Sequence, residues 1–238
     1  MYVYDNLGYQ LCGDDFVSPY PKLPLQYRQL AEWDDSDGRE NYLKMKRLFD
    51  IVVGLAALLF ILPIMAICAI AIKLDSPGPF FFFQMRTGQG GRRFKMYKLR
   101  TMVRNAEKLK EKYKHLNTQS FPDFKIAEDP RITYVGRFLR KTSLDELPQI
   151  FNVLKGDMSL VGPRPTSFHS STYHLWHTER LEAKPGVTGL WQVLGRDEID
   201  FDDRVRLDIV YSRNQSLKMD VKILMKTFGA VVGGRGAH

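Results

Sequence analysis

The sequence predicts a mostly helical α+β protein with one membrane segment, interfacial amphipathic helices and a small β-hairpin or sheet. Three observations predict this. Residues 51–72 carry no charged side chain. Residues 80–100 alternate around a glycine-rich turn, the pattern of a hairpin. Apolar residues recur at helical spacing in four other stretches, at 101–116, 143–156, 200–211 and 216–228.

The 238 residues carry a net charge of +8, unevenly spread. The first 47 residues are slightly acidic, and the excess of Lys and Arg lies beyond residue 72. A basic body suits anionic lipid or phosphorylated substrates. No nucleic-acid motif accompanies that charge, so nucleic acid is not an expected partner. Cys12 and Cys68 have neither disulfide nor zinc spacing, which makes a reducing, cytosolic setting the expectation for the body.

Residues 1–43 read as an N-terminal extension. Pro19, Pro21 and Pro24 and the acidic Asp34, Asp35 and Asp37 give it the composition of an irregular or disordered segment. Residues 44–73 hold the membrane segment. Its 22 uncharged residues make roughly 33 Å of helix, against a bilayer core of about 30 Å. Lys44, Lys46 and Arg47 precede it, and Lys73 and Arg86 follow, so both ends are expected on the cytoplasmic side. Pro63 removes a hydrogen bond to Leu59 and bends the helix. From charge and proline alone, a helix that enters and returns and a kinked spanning helix are equal alternatives.

Phe80–Phe83 and Arg93–Arg100 flank Gly88-Gln89-Gly90-Gly91 and form the hairpin. Residues 101–116 read as a helix with Met102, Ala106, Leu109, Tyr113 and Leu116 on one side. A polar loop and a short helix through Val135, Phe138 and Leu139 lead to the central stretch.

That stretch is 141–165. Leu147, Ile150, Phe151 and Leu154 share one helical face. Ser143 and Glu146 have capping-box spacing, with Ser143 as N-cap, and Gly156 stands where a left-handed C-cap belongs. Asp145 and Glu146 therefore occupy a first turn, whose N–H groups and dipole keep Asp145 ionised and favour a nearby phosphate. An ionised Asp can attack phosphorus, while its neighbour can hold a hard cation such as Mg²⁺. Arg164, stiffened between Pro163 and Pro165, presents a guanidinium suited to phosphate oxygens, and Arg140 lies five residues before Asp145.

His169, His174 and His177 have no cysteine among them and are not read as a metal site. Lys184–Gly189 reads as a turn and Leu190–Leu194 as a strand, followed by Arg196 as a third phosphate ligand. Asp200–Tyr211 is a helix. Ser216 caps a last helix with Val221, Leu224, Met225 and Phe228 on one face and Lys218, Lys222 and Lys226 beside it, which fits either an interfacial helix or a core-packing one.

Taken together, these motifs resemble the bacterial sugar transferases, the monotopic polyprenol-phosphate phosphoglycosyl transferases that initiate exopolysaccharide, capsule and O-antigen synthesis. The resemblance covers about residues 42–238. It rests on Lys46-Arg47-Leu48-Phe49-Asp50, Tyr97-Lys98-Leu99-Arg100-Thr101-Met102 and Arg140–Gln149. Asn152–Ser159, Gly162-Pro163-Arg164-Pro165, Pro185–Val193 and Gly195-Arg196 complete it. The resemblance implies that the membrane segment is a re-entrant helix hairpin and that residues 74–238 form a catalytic domain on the cytosolic face of a bacterial cytoplasmic membrane. It further implies that Asp145 attacks the sugar-bearing phosphorus of a UDP-sugar, expels UMP and passes the phospho-sugar to undecaprenyl phosphate. Glu146 would bind Mg²⁺. Arg140 and Arg164 would hold phosphate oxygens, with Lys98, Arg100 and Arg196 as further candidates. The family often has Ser-Pro at the bend, where this chain has Leu62-Pro63. Many relatives carry a multi-span N-terminal region not found in these residues; the short chain resembles exopolysaccharide-initiating members that transfer galactose or glucose phosphate. Membrane lipid is an expected partner, and a homo-oligomer is compatible with the sequence. Two competing readings are a membrane phosphohydrolase using Asp145 and a non-catalytic scaffold for polysaccharide assembly. Release of sugar phosphate without polyprenol would mark the first, and function surviving Asp145→Ala the second.

Overall fold

The computed structural model describes residues 3–4, 10–11, 38–117, 126–169, 172–194 and 200–233. Most of the N-terminal extension and Arg196 lie outside the described residues. Within the extension, β1 (Val3–Tyr4) and β2 (Gln10–Leu11) form a short antiparallel ladder.

The helix α1 (Arg39–Asp75) begins before Lys44 and runs continuously through Pro63. It is long and apolar enough to cross a membrane by length and composition, and little of its apolar stretch is buried by the protein. Leu55, Leu59, Phe60, Ile67, Ile70 and Leu74 are exposed, a surface suited to lipid rather than water.

Both arms of α1 pack on one body. In the first arm, Lys46 Nζ reaches Asp220 Oδ2 at 2.7 Å and Tyr211 Oη at 3.1 Å, all three buried. Arg47 donates to the carbonyls of Val153 (2.6 Å) and Leu154 (2.7 Å). Asp50 accepts from Ser159 Oγ and the Leu160 N–H, each at 3.0 Å. Lys46 and Arg47 thus anchor the helix to the protein, and the flanking-charge argument loses two of its cations. In the second arm, Cys68 and Ile72 pack with Leu99 and Leu139.

The hairpin forms as its alternation predicts. β3 (Phe81–Thr87) pairs antiparallel with β4 (Arg93–Leu99), and Gly90 takes a φ of 61° in the turn. The stretch 104–113, expected as part of a helix, is a series of turns ending in a 3₁₀ turn at Lys114–Leu116. Only Ala106 of the five apolar positions is buried, so no packing supports a continuous ladder there. α2 (Tyr134–Lys141) is capped by Thr133, whose side chain accepts from the Gly136 N–H.

α3 (Gln149–Lys155) ends at Gly156 with φ 95°, the expected left-handed cap. Its fully buried Asn152 accepts from the Tyr97 N–H at 2.9 Å and donates to the Lys95 carbonyl at 2.7 Å. One side-chain amide thereby locks α3 to β4 as a strand neighbour would.

β5 (Ser159–Val161) pairs in parallel with β6 (Gly186–Thr188). The strand lies in the residues read as a turn, and Leu190–Leu194, read as a strand, is the short helix α4. The cause is a close backbone approach: a Cβ at Gly186 would lie 2.0 Å from the Gly162 nitrogen, so glycine permits pairing that its propensity argues against. α5 (Phe201–Arg213) and α6 (Leu217–Val232) follow as expected, with Asp200 and Ser216 side chains at their starts. α6 packs inward through Asp220 and Ile223 and exposes Val221, Met225 and Phe228. Leu224, expected on that face, packs with Met219 against the core, so the helix combines a core-packing side with an outward apolar one.

Candidate active site

The central turn differs from the capping box its spacing suggested. Ser143 lies in the left-handed region (φ 56°) and makes no cap hydrogen bond; Leu144–Glu146 is a 3₁₀ turn, and α3 starts only after Pro148. Proline at position 148 can begin a helix but cannot donate within its second turn. Glu146, instead of reaching back to residue 143, faces two cations from other elements.

Those cations are Lys98 on β4 and Arg164 in the Pro-Arg-Pro turn. Lys98 Nζ lies 2.9 Å from Glu146 Oε1 and 3.8 Å from Asp145 Oδ2. Arg164 Nη2 lies 2.6 Å from Glu146 Oε1, and its Nη1 3.3 Å from Oε2. Burial favours protonation of Glu146, but Arg164 and then Lys98 outweigh it and hold its pKa far below the carboxylate range. The structure therefore brings Asp145, Glu146, Lys98 and Arg164 together from separate parts of the chain.

Asp145 is 8% exposed. Burial pushes its pKa up, with Lys98 the largest opposing influence and the neighbouring Glu146 adding to the rise. This corrects the expectation that a helix dipole alone keeps it ionised: Asp145 sits in a short 3₁₀ turn with weak dipole support, and desolvation dominates. Arg140 is close enough to lower the Asp145 pKa, and its Nε donates to Thr101 Oγ1 at 2.9 Å. That contact depends on Gly136, where a Cβ would lie 2.1 Å from the Thr101 carbonyl oxygen.

Arg100 is not placed for phosphate. Its guanidinium donates to the carbonyls of Ser76 (2.6 Å) and Pro77 (2.8 Å) and approaches that of Ile72 (3.4 Å). It caps the C-terminal end of α1, where the helix leaves carbonyls unpaired.

Arg86 was missed in the sequence. It lies two cross-strand pairs beyond Gln84 and Met96 on the β-hairpin, Nη2 donating to Gln84 Oε1 at 2.7 Å. Its pKa is brought down to about 10 by burial first and Arg164 next, while Glu146 opposes both, and its buried Nε has no partner. The register was the available signal, since Phe82, Gln84 and Arg86 alternate on the face that carries Lys98. Four cations, Lys98, Arg164, Arg140 and Arg86, thus surround two carboxylates, an arrangement that favours a dianionic ligand.

Among the described residues no cluster of three or more His, Cys, Asp or Glu stands together. His177 is buried against Trp176 and Phe201, its Nε2 3.3 Å from Asp202 Oδ1. The donor set nonetheless fits Mg²⁺, which takes one or two carboxylates plus substrate phosphates. Glu146 accepts two hydrogen bonds on Oε1 and one on Oε2, leaving a lone-pair site on Oε2.

Residues 41–234 match the family model described as bacterial sugar transferase. The galactosyl transferase CpsE of Streptococcus agalactiae is 45% identical over 199 residues, covering 83% of this chain and 44% of the relative. The undecaprenyl-phosphate galactose phosphotransferase of Salmonella typhimurium is 47% identical over 199 residues, covering 82% and 42%. The exopolysaccharide production protein ExoY of Rhizobium meliloti is 37% identical over 198 residues, covering 81% and 88%. The chain spans less than half the length of the first two relatives and most of the third.

Proposed function

We propose a reaction from one premise: the chain belongs to the bacterial sugar transferase family. It transfers a sugar-1-phosphate from a UDP-sugar to undecaprenyl phosphate, giving undecaprenyl-diphosphate-sugar and UMP. The observation that carries this reading is the buried Asp145–Glu146 pair under Lys98 and Arg164. Three relatives are named for galactose and one for glucose, which puts UDP-galactose first among donors, with UDP-glucose next.

In the first half, an ionised Asp145 oxygen attacks the phosphorus bearing the sugar. The bond from that phosphorus to the bridging oxygen breaks, and UMP leaves with the electron pair. Partial desolvation of Asp145 raises its pKa and strengthens it as a nucleophile, and Lys98 beside it favours the ionised form. In the second half, a phosphate oxygen of undecaprenyl phosphate attacks the same phosphorus and releases the Asp145 carboxylate. Arg164, Arg140 and Lys98 hold phosphate oxygens through both halves. Glu146 orients Lys98 and Arg164 and would hold Mg²⁺ through the free lone pair on its Oε2. That ion, when bound, offsets charge on the diphosphate.

The contacts of α1 support one membrane geometry. Its first arm is held through Lys46 and Asp50 and its second through Cys68 and Ile72, all on one body. Contacts with the body at both ends of the apolar stretch favour a path in which α1 dips into the cytoplasmic leaflet and comes back, with Pro63 at the bend, over one that spans the bilayer. The exposed face of α6 lies in the same interface, and the catalytic domain is on the cytosolic side.

The test is a panel of UDP-sugars with undecaprenyl phosphate and Mg²⁺, read as UMP release. UMP release that depends on one UDP-sugar, with a lipid-linked sugar diphosphate as product, is the expected result. Free sugar phosphate in place of that product means a phosphohydrolase.

A further inference from the structure

β3 is the outer strand of the hairpin, since β4 is the one that packs on α3 and the 144–146 turn. It carries three exposed apolar side chains, Phe82, Phe83 and Met85, of which Phe82 is 45% exposed. The register pairs Phe82 directly with Lys98, and directly opposed residues of an antiparallel pair project on the same face. Lys98 is the residue that touches both Glu146 and Asp145. A large apolar ring therefore stands in solvent one cross-strand pair from the most charged point of the protein. The neighbouring rings do not cover it. Phe80 and Phe81 pack tilted against each other, Phe83 stacks on Phe81 and packs edge-on against Tyr97 on the opposite face, and Phe82 makes no ring contact among the described residues.

An exposed apolar ring beside a cation suits a ligand that is anionic at one end and apolar next to it. A UDP-sugar can stack only its uracil on an aromatic ring, and the sugar that borders its reacting phosphorus is polar, so the donor burst measured below separates the two occupants. A polyprenyl phosphate has this form, its phosphate falling to Lys98 and its first isoprene units to the ring. Resting on the transferase reading above, we propose that Phe82 is a specificity residue for the lipid acceptor, forming with Lys98 the mouth through which the polyprenyl phosphate enters from the membrane. The position suits this, because Phe81 on the same strand packs against the C-terminal arm of α1, where the apolar helix meets the body.

The experiment uses the full chain in detergent micelles with UDP-galactose and UDP-glucose both supplied. UMP release is measured first without acceptor, as a burst, and then against undecaprenyl phosphate concentration. Phe82→Ser should raise the KM for undecaprenyl phosphate roughly tenfold, the order expected for losing one apolar contact. The burst should stay within about twofold, because the donor half-reaction does not use the ring. Phe82→Leu, which keeps an apolar side chain, should restore most of the affinity. Phe83→Ser, at a ring 53% exposed but on the other face, should leave the acceptor KM near that of the unsubstituted enzyme. An unchanged KM in Phe82→Ser, an equal loss in the burst, or an equal rise in Phe83→Ser overturns the acceptor site. If the unsubstituted enzyme releases no UMP from any UDP-sugar of the panel, with or without acceptor, the transferase reading itself fails, and the acceptor site with it.

Discussion

Arg180 donates from Nη2 to the backbone carbonyl of Arg164 at 2.8 Å, and the same nitrogen pairs with Asp208. Both Arg180 and Asp208 are buried. The turn that presents the Arg164 guanidinium is thus tied to α5 through an ion pair out of water, and α5 takes part in placing a group of the site.

The Asp208 tie has a pH signature. Burial raises the Asp208 pKa from 3.8 to about 6, with Arg180 opposing. The folded protein then binds this proton more tightly than the unfolded chain. The contribution to stability is fully present below pH 3.8 and is lost as pH rises through about 6. Asp208→Asn should flatten the stability profile across that window relative to the unsubstituted protein, as read by urea unfolding at a series of pH values. An unchanged slope would show that Asp208 titrates alike in both states.

Asp145→Asn should abolish turnover and leave thermal unfolding nearly unchanged, since Asn keeps the shape but cannot form a stable acyl phosphate. Mass spectrometry of the unsubstituted enzyme with a UDP-sugar and no acceptor should find a phospho-sugar on Asp145. An adduct elsewhere removes the nucleophile assignment.

On the proposed mechanism, Lys98 sets the acid limb of the reaction. The Asp145 pKa is raised by burial, and Lys98 is the chief influence pulling it back. Lys98→Met should move the acid limb of kcat/KM to higher pH, because more of the nucleophile is then protonated at a given pH. A limb that moves to lower pH, or stays, contradicts the pairing.

Glu146→Gln should weaken the Mg²⁺ dependence and lower stability by about 1–3 kcal/mol, since Lys98 and Arg164 lose a charged partner in a mostly buried site. A magnesium titration of UMP release and a thermal melt check the two effects separately. Normal activity across the titration would restrict Glu146 to orienting Lys98 and Arg164.

Gly136→Ala should cost about 1–3 kcal/mol or more, because its methyl would lie 2.1 Å from a backbone oxygen that cannot rotate away. α2 would have to shift, taking Arg140 from Thr101, so kcat/KM should fall with stability. A melt and a rate measured on the same sample decide this.

Cysteines placed at positions 5 and 235, in a variant lacking Cys12 and Cys68, should both resist an impermeant reagent in intact cells. Reaction at position 5 alone means that α1 spans the bilayer. Pro63→Ala is the substitution expected to convert the re-entrant path into a spanning one.

What the sequence determined by itself is what short-range pattern can encode. The uncharged run of 51–72, the alternation on either side of Gly90, the left-handed position of Gly156 and the side-chain caps at Asp200 and Ser216 all express backbone preference within a few residues. The motif order that marks the family was legible as well, and the candidate pair Asp145 and Glu146 stands within it.

The tertiary structure alone decided what each charged or glycine residue touches. Lys98 and Glu146 are 48 residues apart, and Lys46 and Asp220 are 174 apart. No local periodicity distinguishes Lys46 in a buried pair from Lys44 in solvent, Arg100 on helix carbonyls from Arg164 on a carboxylate, or Arg86 from any alternating strand cation. The strand at Gly186–Thr188 was hidden for the same reason, since its glycine is there for a backbone that arrives from residue 162. Asp145 shows the physical cause most directly. Its first-turn position argues for an ionised carboxylate, but desolvation depends on how much of the rest of the chain closes over it, and that is set only once Lys98, Arg140 and Arg164 have been brought around it.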